Sequence, residues 1–208
     1  MRSIKRQFLE TGKDYCLSPE QWLSHETLAG MTGSLVFGDI VDLIAVQATP
    51  PSNSKFILDT GNAREGLLDL TVLGNPDSNR VSSKKVARDG DLIISRLRPY
   101  LRQVAWLPNG ASTLLGINEF YCSTEFFVFR RKGEKCGAGL LAWLLSEPIQ
   151  AMISDAATGG HHPRINVDLL LNAPVDEVFL DDQLGENIAR VLTGHLQGQR
   201  ELLILLRH

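Results

Sequence analysis

Two adjacent histidines, a proline and an arginine follow a glycine pair in the stretch TGGHHPRIN, residues 158–166. Imidazole and guanidinium groups can hold a metal, transfer protons or donate hydrogen bonds to an anion. Zinc sites need three or four ligands at workable spacings, whereas adjacent side chains point in divergent directions. The other histidines supply no such spacing; they are His25, His195 and His208. The sequence therefore favours no metal site.

Known catalytic motifs are absent from the sequence. It contains no G-x-S-x-G elbow, no phosphate-binding Walker loop and no dinucleotide fingerprint. Methyltransferase chemistry would need a cofactor-binding domain, for which neither the motifs nor the 208 residues leave room. We therefore expect a chain that is not an enzyme and needs no cofactor. A small hydrolase that uses His161 or His162 is the least favoured alternative.

The same histidine-rich stretch can instead bind an anion. Exposed N–H groups at a glycine turn and at a helix N-terminus favour negative charge. Histidine and arginine add donors for phosphate groups or base edges, and the candidates are His161, His162 and Arg164. The alternative is a rigid loop between two packed helices, with its path fixed by Pro163. Both interpretations stay open at this point.

A second group of candidate side chains lies at a bend between two predicted strands, Asp91 to Arg96 and Leu101 to Leu107. Pro99 cannot donate a hydrogen bond within a sheet, so the chain must turn there. The bend brings together three guanidinium groups and a phenol, those of Arg96, Arg98, Arg102 and Tyr100. Guanidinium suits bidentate recognition of guanine or of phosphate. For Arg96 the alternative is a strand residue paired with an acid.

The distribution of charge favours a nucleic-acid partner more than the net charge of −3 does. Residues 80–102 carry seven basic and two acidic side chains, whereas residues 168–186 carry six acids and no lysine or arginine. Such asymmetry gives one face a positive potential despite an acidic total. We expect Lys84, Lys85 and Arg88 to contact phosphates. The alternative is a solvated charged strand followed by an acidic linker.

Composition is typical of a globular protein with a sizeable core, since 43% of the residues are hydrophobic and 22% are charged. No apolar run approaches the ~20 residues of a membrane helix, and MRSIKRQFLE lacks the apolar core of a signal peptide. The three cysteines, Cys16, Cys122 and Cys136, are widely spaced. Reduced thiols in a cytoplasmic protein fit this pattern better than a disulfide framework.

The elements that position these side chains are predicted from periodicity. Alternating and β-branched runs predict strands before residue 132, with YCSTEFFVFRRKG read as one of them. From Gly137 the pattern becomes helical, with a break at Ser146 to Pro148 and a stop at Gly159 and Gly160. NVDLLLNAPVDEV predicts one more short helix and a strand. The fold class is therefore α+β, a compact domain with a mixed, strongly curved sheet and packed short helices.

A last, protruding helix is predicted to start at Asp181 or Asp182 and to end in the apolar run LLILL. One side of it carries apolar residues at spacings of four and three. Such a helix packs on its own domain or on a partner. A partner is favoured, because three glycines weaken the helix in isolation. The side chains expected to bind that partner are Ile188, Leu192, Leu196, Leu203 and Leu206.

The order of the motifs resembles one known family. DGDLIISRLRPYLRQVAWLP, then STEFFVFR, then LLAWLLSEPIQAMISDAATGGHHPRINVDLLLNAPV resemble the target recognition domain of type I restriction–modification specificity subunits. A "GDLLIS-R" strand pair, an "ST-F-V-R" strand, an "L-S-P" helix pair and a "TGG–PRIN–DL" corner recur there in this order. FGDIVDLIAVQATPPS is similar to the family's opening segment, so the resemblance covers residues 35–208. The family's PLPPLEEQ segment is replaced by APVDEVFLDDQ.

The stretch LSPEQWLSHETLAG predicts a helical lead-in within residues 1–34. The resemblance implies a target recognition domain at 35–180 and a spacer or dimerisation helix at 181–208. It implies sequence-specific binding of double-stranded DNA without catalysis, on behalf of a DNA methyltransferase subunit and of a restriction nuclease or translocase subunit. The family's subunit has two such domains, whereas this sequence has one. Either two copies form a homodimer through the terminal helix, or one copy serves a single methyltransferase. The competing class is a protein–protein adaptor without DNA readout.

Overall fold

The computed structural model describes residues 33–51, 54, 57–70, 82–158 and 162–206. Most of the predicted helical lead-in lies outside the described residues, and so does His161. Within the described ranges the strands are β1 Leu35–Val36, β2 Val41–Leu43, β3 Gln47–Ala48, β4 Ile57–Leu58, β5 Ala63–Arg64, β6 Leu67–Leu68, β7 Lys84–Ala87, β8 Leu92–Ser95, β9 Val104–Trp106, β10 Phe120–Cys122, β11 Phe126–Arg131 and β12 Pro174–Val175. The α-helices are α1 Phe37–Ile40, α2 Ala111–Leu115, α3 Gly139–Leu145, α4 Glu147–Asp155, α5 Val167–Leu171 and α6 Asp182–Leu205.

The central sheet is antiparallel, with the strand order β2-β11-β8-β9. Strands β8 and β9 form the hairpin that the sequence predicted, and Leu92 pairs with Trp106. Both faces of β8 are covered, since Leu92 and Ile94 join one apolar cluster and Ile93 joins another. A strand covered on both faces needs apolar side chains at successive positions, which explains the run LII.

A second sheet has the order β3-β7-β10-β4, in which β10 and β4 are parallel and the other pairs are antiparallel. The prediction of a single strand in YCSTEFFVFRRKG was wrong, because β10 belongs to this sheet and β11 to the central one. The chain turns between them at Ser123, whose carbonyl accepts a hydrogen bond of 3.0 Å from the Phe126 N–H. The polar Ser-Thr-Glu triplet therefore separates two strands, and it places Glu125 directly before β11.

Helices cover one face of the central sheet. Trp143 of α3 stacks on Phe37 with 4.6 Å between the ring centroids, and its Nε1 donates to the Pro174 carbonyl at 3.1 Å. Helices α3 and α4 meet at Ser146, and α5 begins after Asn166, whose side chain accepts from the Asp168 N–H at 3.1 Å. Helices packed on an antiparallel sheet, together with a second sheet that contains parallel and antiparallel pairs, confirm the α+β class. Strong curvature of the sheet stays a prediction.

Helix α6 begins at Asp182, and the Asp181 carboxylate accepts from the Leu184 N–H at 2.8 Å. The helix lies close to α3, because a Cβ added at Gly185 of α6 would lie 3.6 Å from the Gly139 nitrogen of α3. Further along, the Gln199 side chain donates to the Leu68 carbonyl and accepts from the Leu70 N–H, both at 2.9 Å. Most of α6 is thereby held against the domain.

The apolar stripe of α6 mostly contacts the chain's own core, which corrects the expected partner face. Leu192 and Leu196 are buried, and Ile188 and Leu203 are partly buried against the two core clusters. Residues four apart on one helical face meet the same neighbouring surface, and here that surface belongs to the domain. Of the expected partner residues, only Leu206 is freely exposed, at 73%. Among the described residues, no helix is both long and apolar enough to cross a membrane.

Candidate nucleic-acid interface

The connection between β8 and β9, residues 96–102, is called the hairpin tip below. It contains a 3₁₀ turn at Pro99–Leu101, flanked by Arg98 with φ 48° and Arg102 with φ 49°. Both values lie in the left-handed region, which costs a non-glycine residue about 1 kcal/mol or more. Such a conformation persists only where surrounding contacts hold it, so those contacts define the tip.

Three hydrogen bonds hold the two left-handed arginines. The Arg98 N–H donates to the Pro163 carbonyl at 2.8 Å, and Arg98 Nη2 lies 3.2 Å from His162 Nδ1. Arg102 Nη2 donates to the Leu145 carbonyl at 2.7 Å, at the last residue of α3. A cation there complements the negative end of a helix. Arg102 is therefore directed towards α3, whereas the intervening Tyr100 side chain is 59% exposed.

Backbone pairing joins the hairpin tip to a second segment, Thr158 and residues 162–166, which we call the corner. Leu97 and Arg164 form an antiparallel bridge, and the Ile165 N–H donates to the Arg96 carbonyl at 3.0 Å. Within the corner, Thr158 and Arg164 exchange backbone hydrogen bonds of 2.8 and 3.1 Å. The two sequence-predicted groups, 64 positions apart at Arg98 and His162, thus lie side by side. Together they form one surface, called the basic surface below.

Glu125 is the acid of this surface, and sequence reasoning missed it. Its carboxylate accepts from Arg96 Nε at 2.9 Å and from Arg164 Nε and Nη2 at 3.1 and 2.9 Å. The hydrogen bonds from Arg164, followed by those from Arg96, lower the pKa of Glu125 to about 2 and outweigh its partial burial. The acid pairing considered for Arg96 is therefore present. No pattern in the sequence links position 125 with positions 96 and 164.

The basic surface keeps a surplus of positive charge. Arg96, Arg98 and Arg164 carry three guanidinium groups against the one carboxylate of Glu125. The side chains of Arg96 and Arg164 are 39% and 46% exposed. Accessible donors with excess positive charge attract an anion from solution.

The two lysines of β7 differ in their availability. Lys85 Nζ donates to the Phe126 carbonyl and lies 5.4 Å from the centroid of the Phe127 ring. Burial, together with the charge of Arg96, lowers the pKa of Lys85. Lys84 Nζ donates to Ser82 Oγ at 2.9 Å in an exposed position. Lys85 therefore supports the basic surface from beneath, and Lys84 is the more accessible of the pair.

Arg88 is not brought to the basic surface. Its Nη2 contacts Glu119 at 3.2 Å, and its N–H donates to Asp91 Oδ2 at 2.8 Å, before the start of β8. The hairpin tip follows the end of β8, about 13 Å away at 3.3 Å per strand residue. The predicted basic set thus divides between the two ends of one strand. Among the described residues, no group of three or more histidine, cysteine or acidic side chains could hold a metal ion.

Solved structures that are similar to this chain include the following two. A structure on complex assembly and conformational transition of the type I R-M system is 16% identical, with a TM-score of 0.40, and the match covers 89% of this chain and 49% of the other. The HsdS subunit from Thermoanaerobacter tengcongensis is also 16% identical, with a TM-score of 0.39 and coverage of 90% and 45%. The chain spans about half the length of these proteins. No family model and no curated protein matches it.

Proposed function

We propose that the chain is a non-catalytic DNA-recognition subunit that directs a DNA methyltransferase or restriction complex to its target. The observation that carries the proposal is the joining of the hairpin tip to the corner. The two segments together form one exposed surface with three arginines and one acid. The order of the sequence motifs, which resembles that of target recognition domains, agrees with this function.

The chemistry of the basic surface suits a large polyanion. Its donors lie on the hairpin tip and on the corner, and Tyr100 and Leu101 of the tip are exposed at 59% and 43%. Guanidinium groups bind phosphates and the edge of guanine, and an aromatic ring contacts sugars and bases. Duplex DNA offers all of these groups along one groove. We also propose a phosphate contact for Lys84, which lies on the neighbouring sheet.

Mobility-shift titrations of the full chain on mixed-sequence duplex DNA test the proposal, with and without the methyltransferase subunit. We expect affinity to fall steeply with salt, because neutralised phosphates release counterions. Arg190→Ala is the charge-matched control for arginine variants of the basic surface. Arg190 is an exposed arginine on α6, and its Nη2 lies 3.4 Å from Asn187 Oδ1. Absence of DNA binding at low salt, with and without the methyltransferase subunit, would contradict DNA recognition and favour a protein–protein adaptor.

The last turn of α6 is the proposed docking site for the methyltransferase subunit or for a second copy of the chain. Leu202, Leu205 and Leu206 are exposed at 50%, 72% and 73% at the C-terminal end of α6. Exposed leucines that lie together mark an interaction surface. A restriction nuclease or translocase subunit is proposed as a further member of the complex.

Sedimentation velocity tests the docking site. A Leu205→Glu/Leu206→Glu variant is expected to lose self-association or association with the methyltransferase subunit. Val178→Glu is the matched control, because Val178 is an apolar residue exposed at 57% outside the helix. Identical assemblies for the double variant and the unchanged chain would remove this surface from the proposal.

A further inference from the structure

The three arginines of the basic surface differ in which nitrogens are free. Arg164 donates through both Nε and Nη2 to Glu125, and its Nη1 lies 3.4 Å from the His162 carbonyl oxygen. Arg98 is engaged through Nη2 by His162, and its Nε is buried. Arg96 donates to Glu125 through Nε alone. Its terminal nitrogens, Nη1 and Nη2, have no hydrogen-bond partner among the described residues.

An arginine held at Nε presents its two terminal nitrogens as a fork. In the major groove, guanine offers two acceptors, O6 and N7, at the spacing of such a fork. Fixing the guanidinium plane before binding reduces the rotamer entropy that is lost on contact. A lysine at this position would carry the same charge without the fork.

We propose that Arg96 reads a guanine in the major groove, that Glu125 is the positioning residue which orients Arg96, and that Arg164 holds Glu125 in place. This inference deepens the proposed function and rests on it. It divides the arginines by role: Arg96 carries sequence specificity, and Arg98 contributes charge towards the phosphates.

The backbone around Glu125 supports its role as a positioning residue. The Arg96 N–H donates to the Glu125 carbonyl at 2.9 Å, so backbone and side chain tie the same two residues together. The Arg96 carbonyl in turn accepts from the Ile165 N–H at 3.0 Å, next to Arg164. The carboxylate stays ionised at neutral pH, because its pKa is lowered to about 2. Glu125, Arg96 and Arg164 are therefore fixed relative to one another before any ligand binds.

The test begins with selection of binding sites from a randomised duplex pool by the unchanged full chain, by Arg96→Lys and by Glu125→Gln. The unchanged chain is expected to enrich a motif with at least one fixed guanine. Arg96→Lys is expected to lose the preference at that position by about tenfold, the size of one bidentate base contact, while the salt dependence of binding is retained. Glu125→Gln is expected to weaken the same position by a smaller factor, since an amide oxygen still accepts from Nε.

A duplex with 7-deazaguanine at the enriched position, which lacks the N7 acceptor, gives the second measurement. It should lower the affinity of the unchanged chain and leave that of Arg96→Lys unaltered. Arg190→Lys is the matched control, with the same replacement on α6 and an unchanged motif. A role of Glu125 in stability alone would lower the unfolding midpoint in urea without shifting the base preference, and that result would overturn its positioning role.

The outcomes separate this inference from the proposed function. Enrichment of the same guanine by Arg96→Lys, or equal loss on 7-deazaguanine in both proteins, overturns the assignment of Arg96 and leaves DNA recognition standing. An enriched motif without guanine does the same. Absence of salt-sensitive binding by the unchanged chain, with and without the methyltransferase subunit, overturns both.

Discussion

Two carboxylates lie at opposite ends of strand β8, and both are bound by arginine in bidentate fashion. Asp91, before the strand, is fully buried and accepts from Arg130 Nε and Nη2, both at 2.8 Å. Glu125, beside Arg96 at the other end, has a side chain that is 23% exposed and is shared by two arginines. The same chemical pair thus occurs in two settings, one near each end of β8.

The difference lies in exposure and in charge balance. Asp91 pairs with one arginine and also accepts from the Arg88 N–H, so that the single buried carboxylate is matched by a single guanidinium group. Glu125 is outnumbered by guanidinium groups, and its end of the strand is open to solvent. A balanced, buried pair holds a turn in place, whereas an unbalanced, exposed one retains donors for an anion. The comparison favours a structural role for the Asp91 end, and it agrees with the binding role proposed for the Glu125 end.

The largest expected effect is that of Asp91→Ala on stability. Removal of the buried carboxylate leaves Arg130 and the Arg88 N–H without their partner, which should lower the free energy of unfolding by about 3 kcal/mol. Urea denaturation measures this loss, and Glu125→Ala, expected to cost about 1 kcal/mol, is the matched variant at the other end. Equal losses of unfolding free energy in Asp91→Ala and Glu125→Ala would contradict the distinction between the two ends of β8.

Arg102→Ala should have the next largest effect, because Arg102 belongs to the hairpin tip and yet points inwards. Loss of the charge-assisted hydrogen bond to the Leu145 carbonyl should lower the free energy of unfolding by about 2 kcal/mol and weaken DNA binding through a looser tip. Arg102→Lys retains a donor and should recover part of both. Thermal denaturation monitored by circular dichroism measures the loss of stability. An unchanged midpoint for Arg102→Ala would mean that the Arg102 side chain does not support the fold and is available to bind an anion.

Arg98→Ala should change binding and leave folding nearly intact. We expect about tenfold weaker binding to duplex DNA and a salt slope reduced by about one. Mobility shifts at several salt concentrations measure both quantities, with Arg190→Ala as the charge-matched control. Equal affinities of Arg98→Ala and Arg190→Ala for duplex DNA would mean that Arg98 does not contact a phosphate.

The smallest expected effect is on how the stability of the fold depends on pH in the acidic range. Because the pKa of Glu125 is lowered to about 2 in the folded chain, its pairing stabilises the fold above the ordinary pKa of a glutamate, and this contribution is lost as pH falls from about 5 towards 2. Glu125→Gln should remove it, about 1 kcal/mol at neutral pH, and flatten that part of the pH profile. Urea midpoints at several pH values provide the measurement, and parallel profiles for the two proteins contradict the expectation.

The sequence predicted those elements whose residues lie close together along the chain. Pro99 forced the bend between β8 and β9, Ser146 separated α3 from α4, and Asp181 marked the start of α6. It failed at the triplet before Phe126, because apolar residues on both sides of a turn look like one strand. It also favoured a partner for the apolar stripe of α6, whereas most of that stripe packs on the chain's own core, because an apolar stripe does not specify which surface covers it.

The sequence by itself determined the residue types of the site: arginines around a proline bend and a histidine–arginine corner that starts a helix. Only the tertiary structure decided that these two segments form one surface, that Glu125 lies between Arg96 and Arg164, and that Arg88 and Arg102 turn elsewhere. The physical reason is that turn and helix signals act over a few residues. Ion pairs between distant positions form only after the sheet has fixed which ends of its strands are neighbours.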